Sequence, residues 1–213
     1  PADYRSAHML SGLDGWVAGT QGRVRHTTNG GTNWVDVTLP ADDVRSVTFR
    51  GAANGWAAGD GIFRTNDFGQ TWLPASTEQG VNCVYFVDAQ RGWACTDSGR
   101  DLRTTNGGST WTGQTVVAAA LHGVHFVDAF QGWGVGAGGR VLASTDGGAT
   151  WQPQVSGSGA DLTAVEFANA STGWIAAGPA VLRTLDGGAS WQGFALPAGV
   201  HALGLDFLGT SLG

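Results

Sequence analysis

The residues of this sequence best suited to chemistry recur at one position, eight residues before a tryptophan that follows a glycine. Histidine and carboxylate side chains in such a set can ligate a metal ion, whereas the plainer interpretation is a hydrated channel lined by polar groups with satisfied hydrogen bonds. We prefer the second interpretation and expect no bound metal, no cofactor and no catalytic residue. The residues predicted to line the channel are His8, Thr48, Tyr85, His125, Glu166 and Asp206.

A second column lies eight residues before another series of tryptophans and is rich in arginine. Planar guanidinium groups suit bidentate contact with carboxylates, which makes this column a candidate surface for a protein partner. The alternative is structural, with each arginine packed on a tryptophan as a cation–π pair. The candidate partner-binding residues are His26, Arg64, Arg103 and Arg183, and the fourth repeat carries Ala143 at this position.

The tryptophans show which elements must position both columns. One series, Trp16, Trp56, Trp93, Trp133 and Trp174, is spaced by 40, 37, 40 and 41 residues, and the other, Trp34, Trp72, Trp111, Trp151 and Trp191, by 38, 39, 40 and 40. Two interleaved series of one period indicate a tandem repeat, and a period near 40 with strand-like segments is typical of propeller blades. Apolar alternation, as in Val44–Phe49, predicts the first strand of each unit.

Each first strand should present its apolar residues to the core. Neighbouring residues of a strand point to opposite faces, so the residue that follows each channel position is expected to be buried between blades. These residues are Met9, Phe49, Phe86, Phe126, Phe167 and Phe207.

An octet of turn residues recurs between the third and fourth strands of each unit, for example TTNGGTNW at 27–34 and STDGGATW at 144–151. Its acid or amide is placed to accept backbone N–H groups, and the glycine two residues on permits a positive φ. We therefore assign the octet a structural role. Its recurring polar and aromatic residues are Asn29, Asp67, Asn106, Asp146, Asp186, Trp34, Trp72, Trp111, Trp151 and Trp191.

The octet resembles the Asp box, or bacterial neuraminidase repeat, S/T-x-D/N-x-G-x-S/T-W, and Asn33 departs from that pattern in the first copy. The larger unit is similar to the photosystem II stability/assembly factor-like propellers. That resemblance implies a non-enzymatic protein-binding scaffold that helps build or stabilise a complex, with an arginine-rich patch facing the partner. It also implies an extracytoplasmic location: periplasm, lumen or outside the cell.

We predict one all-β domain over 1–213, a propeller of four-stranded antiparallel blades with Asp-box turns. The blades are predicted at about 5–38, 44–77, 81–117, 121–156 and 161–197, and 201–213 repeats the pattern of a first strand. One interpretation is a five-bladed ring in which an end strand is displaced or exchanged with a second molecule. The other, which we prefer, is a larger parent ring.

Two cysteines, Cys83 and Cys95, are equidistant from the expected centre of a hairpin in the third unit. Residues opposite each other on paired strands either form a cross-strand disulfide or stay two buried thiols.

Composition excludes several classes of function. The net charge is −6, and the 11 basic residues include no lysine, so a basic nucleic-acid surface has little support. No run of about 18 apolar residues predicts a membrane span, and no charged-then-apolar signal peptide opens the chain.

Two other functions remain as alternatives to the scaffold. Exposed tryptophans serve as sugar platforms in lectin-like propellers. Sialidases with similar repeats use a tyrosine nucleophile paired with glutamate, for which Tyr85 and Glu166 are candidates. The short connections leave little room for a substrate cleft, and the remaining sialidase residues are missing, which favours the scaffold.

Overall fold

The computed structural model describes residues 3–51 and 53–206 and shows five four-stranded antiparallel sheets, each formed by four strands consecutive in the chain. This confirms the all-β class predicted from the repeats. The strands are β1 (Tyr4–Met9), β2 (Gly15–Gly19), β3 (Arg23–Thr27), β4 (Val35–Thr38), β5 (Val44–Arg50), β6 (Asn54–Gly59), β7 (Gly61–Thr65), β8 (Leu73–Ser76), β9 (Val81–Phe86), β10 (Gly92–Thr96), β11 (Arg100–Thr104), β12 (Thr112–Thr115), β13 (Leu121–Phe126), β14 (Gly132–Gly136), β15 (Arg140–Ser144), β16 (Gln152–Val155), β17 (Ala164–Phe167), β18 (Gly173–Ala177), β19 (Ala180–Thr184) and β20 (Gln192–Ala195).

The described chain divides into two compact units. The first comprises the described residues of 1–96 and 102–114, and the second those of 97–101 and 115–213. Residues 201–206 contain no strand, although Ala202 forms an isolated bridge with Gly178. The remainder of the predicted extra strand, with Phe207, lies outside the described residues.

Within each unit, consecutive sheets are joined by stacked aromatic rings. In the first unit, Trp16 stacks on Phe49 with ring centroids 3.7 Å apart, and Trp56 stacks on Phe86 at 3.5 Å. Both phenylalanines are fully buried, so the tryptophan that follows glycine is a core residue that covers the next sheet along the chain.

The second unit repeats this arrangement and shows the place of the other tryptophan series. Trp133 stacks on Phe167 at 3.5 Å, and Trp191 meets the same ring edge-on at 5.9 Å. Such stacked and edge-on pairs each contribute about 0.5–1.5 kcal/mol beyond the area they bury. The tryptophans that follow glycine therefore serve the core, and so do the box tryptophans of the second to fifth sheets, which meet a core phenylalanine edge-on.

Met9 departs from the expected burial and is 50% exposed. The ring that covers Phe49, Phe86 or Phe167 comes from the sheet that precedes it in the chain. The expectation that Met9 lies in the core is therefore wrong.

The five Asp boxes close each sheet between its third and fourth strands with one hydrogen-bonding pattern. The first hydroxyl of the box accepts the N–H of the glycine four residues on, at 2.8–3.0 Å, and donates to the side-chain oxygen of the acid or amide. The glycine has φ between 76° and 90°, a conformation in which a Cβ is strained. The glycines concerned are Gly31, Gly69, Gly108, Gly148 and Gly188.

Candidate functional site

In the first, second, fourth and fifth sheets, the two columns singled out in the sequence lie on the same face, one on each side of the tryptophan that follows glycine. Directly opposed residues of paired antiparallel strands share a face, and the register places these residues opposite one another. Residues directly opposite one another, in order from the first to the fourth strand of a sheet, form one row. The rows are His8, Trp16, His26 and Val35 in the first sheet; Thr48, Trp56, Arg64 and Leu73 in the second; His125, Trp133, Ala143 and Gln152 in the fourth; and Glu166, Trp174, Arg183 and Gln192 in the fifth. Tyr85 is opposite Trp93 in the third.

The arginine column is partly buried in every sheet that carries it. The guanidinium carbon of Arg183 lies 6.0 Å from the ring centroid of Trp174, at the outer limit of a cation–π contact. The Nε of Arg183 is buried and has no hydrogen-bond acceptor among the described residues. Arg64 and Arg103 are likewise half-buried, which is typical of a stem packed on apolar surface with a head that can reach a ligand.

His26 occupies the same position in the first sheet and is held differently. Its ring stacks on Trp16 at 4.3 Å with an interplanar angle of 2°, and its Nε2 lies 2.6 Å from Oδ1 of Asp14. Trp16 also stacks on Phe49, so the indole packs against two rings. His26 is therefore fixed by packing and hydrogen bonding, whereas an arginine at this position keeps several donors to offer.

Four residues of the predicted channel column are half-buried, namely His8, Tyr85, His125 and Glu166, and Thr48 is buried. Asp206 is exposed and belongs to no strand, so its predicted place on a first strand is wrong. The first three residues of this column belong to the first unit and the others to the second. That they line one common channel therefore stays a prediction. Among the described residues, no group of three or more His, Cys, Asp or Glu side chains is placed to hold a metal ion.

Arg50 is a residue of this region that the repeat pattern did not reveal. Its guanidinium lies 5.2 Å from the ring centroid of Tyr85, and its Nε donates to the carbonyl oxygen of Phe86 in the next sheet. Arg50 is the last residue of β5 and follows the core residue Phe49. A charged residue so close to the channel position Thr48 is the sequence signal that could have identified it.

Polar contacts between consecutive sheets form another feature that the sequence columns missed. Near the start of the first strand, Arg45 donates to Oδ1 of Asn82 at 2.7 Å, and Nδ1 of His122 lies 3.0 Å from the carbonyl oxygen of Leu162. The contact partner differs from sheet to sheet, so no single residue type marks this position.

Cys83 and Cys95 are directly opposed in the third sheet, with Cα atoms 5.5 Å apart, and they form a disulfide. Of the two states that the sequence left open, the structure contains the cross-strand bond. It links the first and second strands of one sheet.

The acids of three Asp boxes are held in their charged form. The pKa of Asp67 falls to about 2 because the hydroxyl of Thr71 donates to it, and that of Asp186 falls to about 2 through the hydroxyl of Ser190. For Asp146 the largest cause of a pKa of about 2 is the backbone N–H of Thr150. These carboxylates are occupied by the turn that they stabilise, so they are poor candidates for acid–base chemistry.

A groove of about 760 Å³ opens in the first unit, away from both columns. It is lined by Gln21, residues 38–42, Asp60 and Gln79. None of the predicted site residues borders it, so its loops are not part of the candidate site.

Sheets of four antiparallel strands with a structural Asp box define this chain as an Asp-box β-propeller. More particularly, it resembles the photosystem II assembly factors: residues 114–201 match the family model of the Photosynthesis system II assembly factor YCF48. The chain is 30% identical over 105 residues to the Photosystem II assembly lipoprotein Ycf48 of Synechococcus sp. (strain CC9902), a match that covers 47% of this chain and 27% of that protein.

A second relative is the chloroplastic Photosystem II stability/assembly factor HCF136 of Oryza sativa subsp. japonica. Identity is 32% over 123 residues, which cover 51% of this chain and 29% of that protein. The matched part thus spans less than a third of either relative.

Solved structures support the same fold. YCF48 bound to a D1 peptide is 19% identical with a TM-score of 0.61, covering 90% of this chain and 82% of that one. YCF48 from Cyanidioschyzon merolae is 17% identical with a TM-score of 0.64, covering 98% and 90%. The GH74 enzyme of Niastella koreensis has a TM-score of 0.65 at 17% identity, over 89% of this chain and 31% of the enzyme, which is a likeness of fold alone. Within the described residues, no helix has the length and apolar character needed to cross a membrane.

Proposed function

We propose that this chain is a non-enzymatic scaffold that binds a protein segment and helps to assemble or stabilise a protein complex. The observation that carries the proposal is its similarity to photosystem II assembly factors, one of which has been solved with a bound D1 peptide. The architecture supports it, because the two tryptophan series and the Asp-box residues are used for packing and turns in the same way from sheet to sheet. Catalysis instead needs different residues converging at one place.

The arginine column is the proposed contact for the partner. Arg64 and Arg183 are each directly opposite the tryptophan that follows glycine, and Arg103 has the same place in the sequence repeat. All three are half-buried, with planar donor groups that match carboxylates. The Nε of Arg183 is buried without an acceptor, and an oxygen atom of a bound ligand would accept its hydrogen bond. A peptide with acidic side chains or a free carboxyl terminus is therefore the expected chemistry.

The test compares partner capture by two triple variants of equal charge. Immobilised protein is incubated with membrane extract of the source organism, and bound proteins are identified by mass spectrometry. The variant Arg64→Gln, Arg103→Gln, Arg183→Gln should lose the partner. The control variant changes Arg23, Arg91 and Arg140 to glutamine and should keep it.

The urea midpoint of each variant separates the proposed role from the structural alternative. A partner retained by the column variant, together with a lowered midpoint, would assign these arginines to packing on tryptophan. A partner lost at an unchanged midpoint supports direct contact.

The same proposal places the protein outside the cytoplasm. One relative is a lipoprotein and the other is chloroplastic, and a disulfide is typical of an oxidising compartment. Alkylation of free thiols in intact cells before and after reduction tests this, because a cytoplasmic protein would have both cysteines alkylated without reductant.

A further inference from the structure

Two of the five Asp boxes contain an asparagine followed by glycine, Asn29–Gly30 and Asn106–Gly107, where the other boxes contain aspartate. A backbone nitrogen can attack the preceding asparagine side chain, and glycine offers the least obstruction because it has no Cβ. The N–Cγ bond forms, the Cγ–Nδ2 bond breaks and ammonia leaves. Water then opens the cyclic imide to aspartate or isoaspartate, so the reaction consumes only water.

The two sites have almost the same local sequence, TNGGT at 28–32 and TNGGS at 105–109, and they share one set of restraints. The side-chain oxygen of each asparagine accepts a threonine hydroxyl and a backbone N–H, at 2.8–3.0 Å. The attacking nitrogen donates to a loop carbonyl, Gly30 to Leu13 at 2.9 Å and Gly107 to Gln90 at 2.8 Å. Reaction in the folded protein therefore requires the box to open locally.

The third box has two further restraints. Nδ2 of Asn106 donates to the hydroxyl of Thr110 at 2.9 Å, which holds the leaving group. The indole of Trp56, from the preceding sheet, donates to the carbonyl oxygen of Gly107 at 3.0 Å. It also closes over Gly108, since a Cβ there would lie 2.7 Å from the indole nitrogen.

The first box lacks both features. Position 33 holds asparagine in place of the hydroxyl residue, and Asn33 contacts Asn29 through its backbone N–H. Gly31 is only half-buried, and the nearest atom to its Cβ position belongs to Trp34 of the same box, at 3.5 Å.

We propose that Asn29 is a site of spontaneous deamidation in the folded protein and that Asn106 is protected. The third box has two hydrogen bonds that the first lacks, and the first has one that the third lacks, from the hydroxyl of Thr32 to the carbonyl oxygen of Asn29. A net difference of one hydrogen bond of ordinary strength corresponds to roughly a two- to tenfold lower population of the open third box. Isoaspartate at position 29 lengthens the backbone in a turn where the carbonyl oxygen of Asn29 accepts the Thr32 hydroxyl at 3.0 Å. The modification therefore damages the turn that closes the first sheet.

Peptide mapping by mass spectrometry measures both rates in one sample. Protein is incubated at mildly alkaline pH, folded and in concentrated urea. In urea the two asparagines should react at closely similar rates because their sequences match. In the folded protein Asn29 should react roughly two- to tenfold faster. Equal folded rates, faster reaction of Asn106, or no reaction at Asn29 would each overturn the proposal.

Reciprocal variants test the cause. Thr110→Asn gives the third box the residue of the first and should accelerate Asn106, whereas Asn33→Thr supplies the missing hydroxyl and should slow Asn29. Urea midpoints verify that both variants fold. Rates unchanged in both variants would refute the role of the hydroxyl contact in protection.

Discussion

Replacing Phe167 by leucine should lower the free energy of unfolding by about 1–3 kcal/mol, because it removes two aromatic contacts while retaining an apolar side chain of similar size. Phe167 is 4% exposed, stacks on Trp133 at 3.5 Å and meets Trp191 edge-on at 5.9 Å. Each pair contributes about 0.5–1.5 kcal/mol, which gives the range. Met9→Leu is the matched control, since Met9 occupies the same register position but is 50% exposed, and it should change stability little.

Gly173 provides an independent check on the same contact. A Cβ at this residue would lie 2.5 Å from the Phe167 ring, so Gly173→Ala should cost about 1–3 kcal/mol by overpacking. Combined with Phe167→Leu it should cost less than the sum, by about 0.5 kcal/mol or more, because the smaller side chain makes room. Urea unfolding followed by circular dichroism compares the parent with the four variants. Additive costs, or equal costs for Phe167→Leu and Met9→Leu, would refute the stacking argument.

Three further predictions concern the turns and the disulfide. In the folded protein the pKa of each of the three box aspartates is about 2, below the ordinary 3.8. The stability that their charged form contributes is therefore present above pH 3.8 and is lost as the pH falls towards 2. Urea midpoints should fall over that pH range, and they should fall less steeply for the variant Asp146→Asn. Thr184→Val should cost about 1–3 kcal/mol in urea unfolding, because the buried hydroxyl accepts the N–H of Gly188 at 2.8 Å, and an unchanged midpoint would contradict it. Joint replacement of Cys83 by serine and Cys95 by alanine should cost about 2–3 kcal/mol, since the bond closes a short loop of sequence separation 12; a midpoint equal to that of the oxidised parent would count against the bond.

The periodic residues predicted the fold because each repeat uses them for one physical purpose. The tryptophan after glycine and the phenylalanine of the next sheet meet in every described stack, and the Asp-box hydroxyl always accepts the same glycine N–H. A pattern of this kind is visible in one sequence. Met9 escaped it because burial depends on a neighbouring sheet, which the residue's own position in the repeat does not report.

The candidate site was less accessible to sequence reasoning. Spacing identified the arginine column, and the register then placed it across the tryptophan from the channel column. The contact of Arg50 with Tyr85 and that of Arg45 with Asn82 join different sheets, through side chains that occur once. Contacts between unlike, unrepeated residues leave no period to detect.

The variation at the arginine position itself bears on why those arginines are present. If the core required a cation on each tryptophan, Ala143 opposite Trp133 would leave that ring poorly packed, yet Trp133 is 4% exposed and stacks on Phe167 as closely as its counterparts. The first sheet likewise encloses its tryptophan with His26. Packing thus tolerates arginine, histidine or alanine at one register position. Arginine is expensive to hold half-buried, because its stem loses rotamer freedom and its donors need acceptors. Its recurrence in three sheets is what the proposed partner contact predicts, because a ligand would supply those acceptors.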